Sequence, residues 1–523
     1  METVVLKERD SSSIEVKARY LIDGRHDKRN DYRLSLYFFF PHSFAITGHT
    51  YDPSTFFSQT KAYLRFNTPS FSVEELLNEE SPASPLTRIA GLVRTRMHGD
   101  GDIDRNLFER EAKMLGSVYK SLLRDFTLQH RPLIAAGDMS EPEWAELKER
   151  IALLGRPSER VHELCEYLHE VGHQETEEIL SLAKLTDEHM SLLMEKYFSA
   201  LLVDIQEHTD DKLAKLMTRM IAREEKYRSR QGYPSCLPEE PDEREKEEYV
   251  YRQKVLKNYS RSALFFHAER RNVRQRIEHF LYALAAGLAM AVATSIAFFG
   301  QTWFGSLTTS LFVVLVIGYM IKDRIKESVR DMLRRKVARR MSDRLSVVHD
   351  PKGHRKIARI TERASFARPR KLPAQVHNLR DRGRFEQLLD DEREEHVLLY
   401  EKRARVSAKR VAQYHHRIDG LVDIDIINLD PFLRALSTQS GMLPIVTGKK
   451  HLHFEKVQRI YHLNLIVAWE HGDTQLARRF RLVVDRGGIK RIEPVSTGDT
   501  TRDERIRFVG RGAATVDEDL WDE

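Results

Sequence analysis

"FLYALAAGLAMAVATSIAFFGQTWFGSLTTSLFVVLVIGYMI", residues 280–321, contains no Asp, Glu, Lys, Arg or His, although 31% of the chain is charged. A helix needs about 20 apolar residues to cross a hydrocarbon core of ~30 Å, and this run holds about twice that. It divides into two membrane helices, 280–299 and 302–321, with the turn in "GQTWFG" at 300–305. Trp303 and Tyr319 then fall near span ends, where amphipathic rings favour the interface.

Charge outside the run fixes its orientation. Arg261, Arg270, Arg271, Arg274 and Arg276 precede it. Lys322, Arg324, Lys326, Arg330, Arg334, Arg335, Lys336, Arg339 and Arg340 follow it, and the turn carries no charge. Excess Lys and Arg stay on the cytoplasmic side, so both long flanks and both termini are expected there, in an inner-membrane protein with two passes. The basic stretch after the second span suits anionic lipid headgroups, where each Lys or Arg is worth ~1 kcal/mol. Nucleic acid is the competing ligand, but no RRM, KH or zinc-finger pattern accompanies the charge.

Within the first span Ala283, Gly287, Ala291 and Ser295 recur every four residues, a small-residue stripe suited to close helix packing against the second span or a neighbouring subunit. Neither span contains an ionisable group, which disfavours a transporter. Thr308, Thr309 and Ser310 could line a pore assembled from several copies, although such hydroxyls commonly bond back to their own helix.

Averaged over the whole chain the composition resembles soluble protein, with 41% hydrophobic residues and a mean hydropathy of −0.50, and the average hides this run. At 523 residues the chain exceeds one ordinary core. The two cysteines, Cys165 and Cys236, lack CxxC spacing, which suits a reducing compartment, and the N-terminus lacks the apolar core of a secretory signal.

The fold class expected is mainly α with smaller β parts (α+β). Residues 1–50 alternate as a β-hairpin, Ile14 to Ile22 against Tyr32 to Phe40. Residues 51–235 read as a helical bundle with capping boxes at Ser72/Glu75 and Ser140/Glu143. Residues 242–279 read as a helical stalk, 322–347 as a basic juxtamembrane helix and 348–376 as a basic linker. Residues 377–510 combine one charged helix with an antiparallel meander from Tyr461 to Ile492, and 511–523 form an acidic tail. Strand signals at both ends suggest that the termini share a sheet.

Chemistry is sparser. His162, Glu166, His169 and His173 fall near one helical face in "ERVHELCEYLHEVGH", but the second His of HExxH and facing di-iron motifs are missing. Asp100, Asp102, Asp104 and Glu111 mimic a calcium loop whose obligatory glycine is replaced by Arg105. His415, His416, Asp419, Asp423, Asp425, His451 and His453 could supply bases or ligands near the C-terminal strands. "GMLPIVTGKK" has the wrong spacing for a phosphate loop.

No cofactor is expected. These features point to a membrane-anchored cytoplasmic scaffold or signalling component that binds other proteins and self-associates. The alternatives are an oligomeric pore-forming effector and a membrane-tethered hydrolase or metal enzyme using the C-terminal histidines.

Overall fold

The computed structural model describes residues 3–509 except 23–29, 98–102, 137–138, 172–176, 209–210, 239, 272, 306–307, 341–342, 352–354, 382–394, 416, 448–450 and 496–504. In chain order the N-terminal elements are β1 (Thr3–Glu8), β2 (Ser13–Leu21), β3 (Asp31–Phe40), α1 (Phe56–Gln59) and β4 (Thr60–Phe66). Helices follow: α2 (Val73–Leu77), α3 (Pro85–Met97), α4 (Arg105–Ala136), α5 (Glu141–Val171), α6 (Glu177–His208), α7 (Asp211–Gln231) and α8 (Glu243–Arg261). Next come β5 (His267–Arg271), α9 (Val273–Phe304), α10 (Thr309–Arg340), β6 (Arg344–His349), β7 (Lys356–Ala367) and α11 (Ala374–Asp381). Then β8 (His396–Val406), α12 (Ala408–Tyr414), β9 (Gly420–Asn428), α13 (Asp430–Leu433), β10 (Ser440–Thr447) and β11 (His451–Gln458). The last elements are β12 (Tyr461–His471), β13 (Thr474–Asp485), β14 (Gly488–Pro494) and β15 (Ile506–Val509).

The protein is α+β and divides into two units. The first comprises Met1–Tyr63, His267–Val411 and Asp423–Arg511, the second Leu64–Phe266 with Ala412–Val422.

The first unit is built on sheets. An eight-stranded antiparallel sheet has the order β14-β13-β12-β3-β8-β7-β6-β5, and a second sheet the order β15-β1-β2-β9-β4. Chain ends meet in both: β3 pairs with β12, Phe38 opposite Leu465, and β1 runs parallel to β15. The sheets face one another through buried aromatics, with Tyr20 of β2 and Tyr32 of β3 at 4.0 Å between ring centroids. On the outer face of the large sheet Val376 and Leu379 of α11 cover Tyr37, Phe39, Val397 and Ile466.

Several sequence expectations are corrected here. Ile14–Ile22 and Tyr32–Phe40 do not form a hairpin: β2 pairs with β1, whereas β3 lies between β8 and β12 in the other sheet. Each strand alternates, but its buried side chains find better partners from the C-terminal end. The "linker" contains β7, whose Ile357, Ile360 and Ala364 enter the core beneath a basic outer surface. The charged "helix" contains β8, with Leu398, Tyr400, Lys402, Ala404 and Val406 buried at period two. Lys402 on the inward face disguises that period.

The stalk is broken too. α8 belongs to the helical unit, and β5 separates it from α9 as a short charged edge strand, a composition that discourages further pairing.

The second unit packs α3–α8 around apolar side chains such as Phe108, Leu115, Ile151, Met194 and Phe198. Specific polar ties join the helices. The Tyr119 hydroxyl donates to Leu154 O at 3.0 Å, and Arg252 grips buried Glu188 with Nη2–Oε2 at 2.6 Å. The capping box at Ser72/Glu75 is present, and Asp242 with Glu245 forms another at the start of α8.

Candidate functional site: an apolar hairpin and two buried ion networks

α9 and α10 are rooted in paired strands. β5 and β6 are antiparallel at the edge of the large sheet, Arg271 opposite Leu345, so the chain leaves and re-enters at neighbouring strands. The helices are antiparallel and packed through small residues. Ala285 and Ala289 are buried, and a Cβ at Gly318 would lie 3.0 Å from Ile296 Cγ2, a tight contact that glycine relieves.

α9 runs on past the expected end at 299 to Phe304, so the reversal begins at Gly305, φ +72°, the last residue of the expected 300–305 turn. Gly300 stays helical because it faces Val314 and Leu311 of α10, a site of close approach. Thr308 caps α10, its Oγ1 accepting from Leu311 N–H at 3.2 Å while donating to Phe304 O. That occupies one of the hydroxyls considered for a pore.

This shift makes the two helices unequal. Among the described residues one helix is long and apolar enough to cross a membrane, His279–Phe304, of which 11% is buried. The uncharged part of α10, residues 309–321, is about 20 Å long at ~1.5 Å per residue. The expectation of two matched spans is thereby reduced to one full-length apolar helix with a shorter companion.

The outer surface of the hairpin is oily. Eight large apolar side chains on α9 and eight on α10 up to Ile321 are at least 40% exposed, Trp303 reaching 80%. At ~1.5–3 kcal/mol for each fully buried side chain, leaving this surface in water costs on the order of 10 kcal/mol. Charge begins immediately below it. The Lys322 ammonium lies 3.4 Å from the Tyr319 ring centroid, Arg330 stacks 4.8 Å from Tyr282, and Arg324 and Lys326 are exposed.

The stripe of Ala283, Gly287, Ala291 and Ser295 faces away from α10: all four are exposed, and nothing lies within 4 Å of a Cβ built on Gly287. Gly300 and Gly318 make the close approach instead. Side chains of Arg334, Arg335, Lys336, Arg339, Arg340 and His451 lie outside the described residues, as do His173, His416, Asp100 and Asp102.

A second ribbon of exposed apolar surface comes from β10 and β11, which form a separate two-stranded sheet, Val446 opposite Leu452. Met442, Val446, Leu452 and Phe454 share one face and are each at least 59% exposed. The stretch rejected as a phosphate loop forms β10 as far as Thr447. His453 is on β11, in the first unit, whereas His415 and Asp419 belong to the second. There the His415 Nδ1 accepts from Arg417 N–H at 3.2 Å, and Asn67 donates to Asp419 Oδ1 at 2.8 Å.

Asp423 and Asp425 do come together, though not with the histidines. They project from β9 toward Lys402 of β8, whose Nζ donates to Asp423 Oδ1 at 2.5 Å and Asp425 Oδ1 at 2.9 Å. Tyr32 donates to Asp423 Oδ2 at 2.8 Å, and Tyr400 to Glu362 Oε1 at 2.7 Å, Glu362 being the cross-strand neighbour of Lys402. Lys402 and the three carboxylates are 2% exposed or less. Burial pushes Asp425 up to about 7, opposed by the Lys402 charge and reinforced by that of Asp423. Enclosed between the sheets, these groups meet no solution substrate. They hold the register, since a one-residue slip would strand uncompensated charge.

The second network lies in the helical unit. His162 of α5 places Nδ1 2.5 Å from Asp187 Oδ1 of α6 and Nε2 3.0 Å from Glu224 Oε2 of α7. Tyr227 and Tyr233 donate to Asp187 Oδ2 at 2.8 and 2.6 Å. Burial alone would depress the imidazole, but hydrogen bonds to both carboxylates and their charges outweigh it and raise His162 to about 9. His162 is therefore an ion-pair residue, while Glu166 and His169 point to solvent. Asp104 caps α4 through Leu107 N–H at 3.1 Å, and Glu111 is held by Arg88 and Arg110. Among the described residues no three His, Cys, Asp or Glu side chains are grouped to hold a metal ion.

Compared with family models, with curated proteins and with solved structures, the chain matches none in any of the three.

Proposed function

We propose that this protein works at the cytoplasmic face of an inner membrane, anchored by the α9–α10 hairpin and offering its two folded units as a scaffold or signalling component for other proteins. The observation that carries this reading is the exposed apolar hairpin bounded by basic residues. Lipid removes the cost of that surface in water, and anionic headgroups match the charges that start at Lys322. Antiparallel helices rooted in adjacent strands return the chain to the side it left, so both large ends stay on the basic, cytoplasmic side. In this reading α9 crosses and α10 returns beside it. The stems of Lys322 and Arg324 reach back toward the headgroups to extend the short apolar half.

Self-association is assigned to the β10–β11 ribbon. An isolated pair of strands is marginal in water, and this one adds open edges to an apolar face, which suits pairing with the same ribbon of a second copy. The test of anchoring is fractionation of a detergent-free lysate, followed by alkaline washing of the pellet. The protein should stay with the bilayer, and the double substitution Phe312→Asp with Val316→Asp should release it. Recovery of the unaltered chain as a monodisperse species in the supernatant refutes the reading.

A further inference from the structure

A cleft of about 380 Å³ opens in the helical unit between α4, α6 and α8. Its walls carry Lys120 of α4, Lys196 of α6, and Lys254, Lys257 and Arg261 of α8. A recess of about 30 Å³ shares Lys120, Lys257 and Arg261 and adds Arg65 and Arg124. Among the described residues neither wall includes an Asp or Glu. The spacing on α8 explains the convergence: Lys254, Lys257 and Arg261 follow one another at three and four residues and share a helical face.

We propose that this cleft binds a small organophosphate carrying two or more phosphate groups and an apolar or aromatic body. Several cationic side chains converge on one cleft, and a multivalent anion can meet more than one of them at once through charge-assisted hydrogen bonds. Leu192, Leu193, Tyr197 and Val250 supply the apolar part of the lining, and the Gln253 and Asn258 amides can orient a polar edge. The volume lies in the range of small-ligand sites. His189 lines both cavities, and burial, followed by the charges of Lys120 and Lys257, lowers its imidazole to about 3, so it stays neutral there. The site is separate from the membrane hairpin and does not depend on the anchoring proposal.

The same phosphate chemistry could be presented free in solution or on a lipid headgroup, and the experiment separates these. Full-length protein in nanodiscs of neutral lipid is titrated calorimetrically with inorganic tripolyphosphate and with a nucleoside triphosphate, in chelator and at two ionic strengths. In a third arm the discs contain a phosphoinositide. The nucleoside triphosphate is expected to bind about tenfold more tightly than tripolyphosphate, weakening as salt rises from about 50 to 300 mM. Lys254→Gln, at an exposed rim position that leaves the fold intact, and Lys257→Gln should each weaken binding about tenfold. Arg405→Gln, on the other unit, should leave it unchanged. Phosphoinositide discs that exclude the soluble ligand, with the exclusion lost in Lys257→Gln, would keep the site and assign its ligand to lipid. Absence of binding by every probe at about 1 mM, or affinities indifferent to both lysine substitutions, overturns the proposal.

Discussion

Raising the pH from 6 to 9 should loosen the helical unit as His162 loses its proton. Its imidazole, folded, titrates at about 9 against an ordinary value of 6.5, because Asp187 and Glu224 favour the cation more than burial opposes it. For a group raised on folding, the stabilisation is complete below the unfolded value and is lost as pH climbs through the folded one. A shift of about 2.5 units at ~1.4 kcal/mol each amounts to roughly 3 kcal/mol, drained between pH 6.5 and 9. Only 12% of the side chain is exposed, so solvent screening takes little of this away. Hydrogen exchange of the α5, α6 and α7 peptides, corrected for intrinsic rates, is the local assay. Protection in the unaltered protein should fall by about a hundredfold over that interval. His162→Gln should start with lower protection and vary little with pH. Equal pH dependence in the two proteins, or no loss in the unaltered one, would show that the imidazole is neutral between its carboxylates.

Other expectations follow from the same geometry. Lys402→Met leaves Asp423, Asp425 and Glu362 facing one another in a dry layer and should cost ~3–5 kcal/mol, measured as a drop in melting temperature. Adding Asp423→Asn and Asp425→Asn should recover much of it. Asp425 binds its proton more tightly when folded, so its contribution favours the fold below its ordinary value and declines as pH rises toward 7; a melting series from pH 4 to 7 reads this directly. Gly318→Leu drives a side chain into Ile296 and should destabilise the hairpin in micelles by ~1–3 kcal/mol, whereas Gly287→Leu should leave its melting unchanged. Phe454→Lys on the exposed ribbon should reduce the mass measured by light scattering to that of one chain; an unchanged oligomer would remove the ribbon from the self-association proposal.

How far the sequence could be read depended on whether a residue's neighbours were close along the chain. The charge-free run announced apolar helices at 280–321, though not that one of them alone is long enough to span, and alternation from Tyr461 to Ile492 announced β12, β13 and β14. Both signals are local. The pairing of β3 with β12 was legible only as a loose expectation that the ends share a sheet, because register over four hundred residues leaves no short-range mark. β7 and β8 were hidden by charge: β7 carries Arg359 and Arg363 among its outward residues, and β8 turns a lysine inward. The candidate sites were missed for a related reason. His162 was visible, but Asp187 and Glu224 stand 25 and 62 residues downstream on other helices. The cationic cleft draws on three helices, of which only the α8 triad has a readable spacing.

The central position of β3 in the large sheet bears on how the protein is made. Its flanking strands, β8 and β12, leave the ribosome after helices α2–α8 and the hairpin. At ~5–20 residues per second, β3 waits roughly 20 to 80 s for β12. For that interval Phe38 and Phe40 are without their final neighbours, and the hairpin has already been synthesised. A nascent chain of this design therefore needs shielding at its N-terminal strands until β12 has emerged, and truncations that remove β12 should be cleared as misfolded protein.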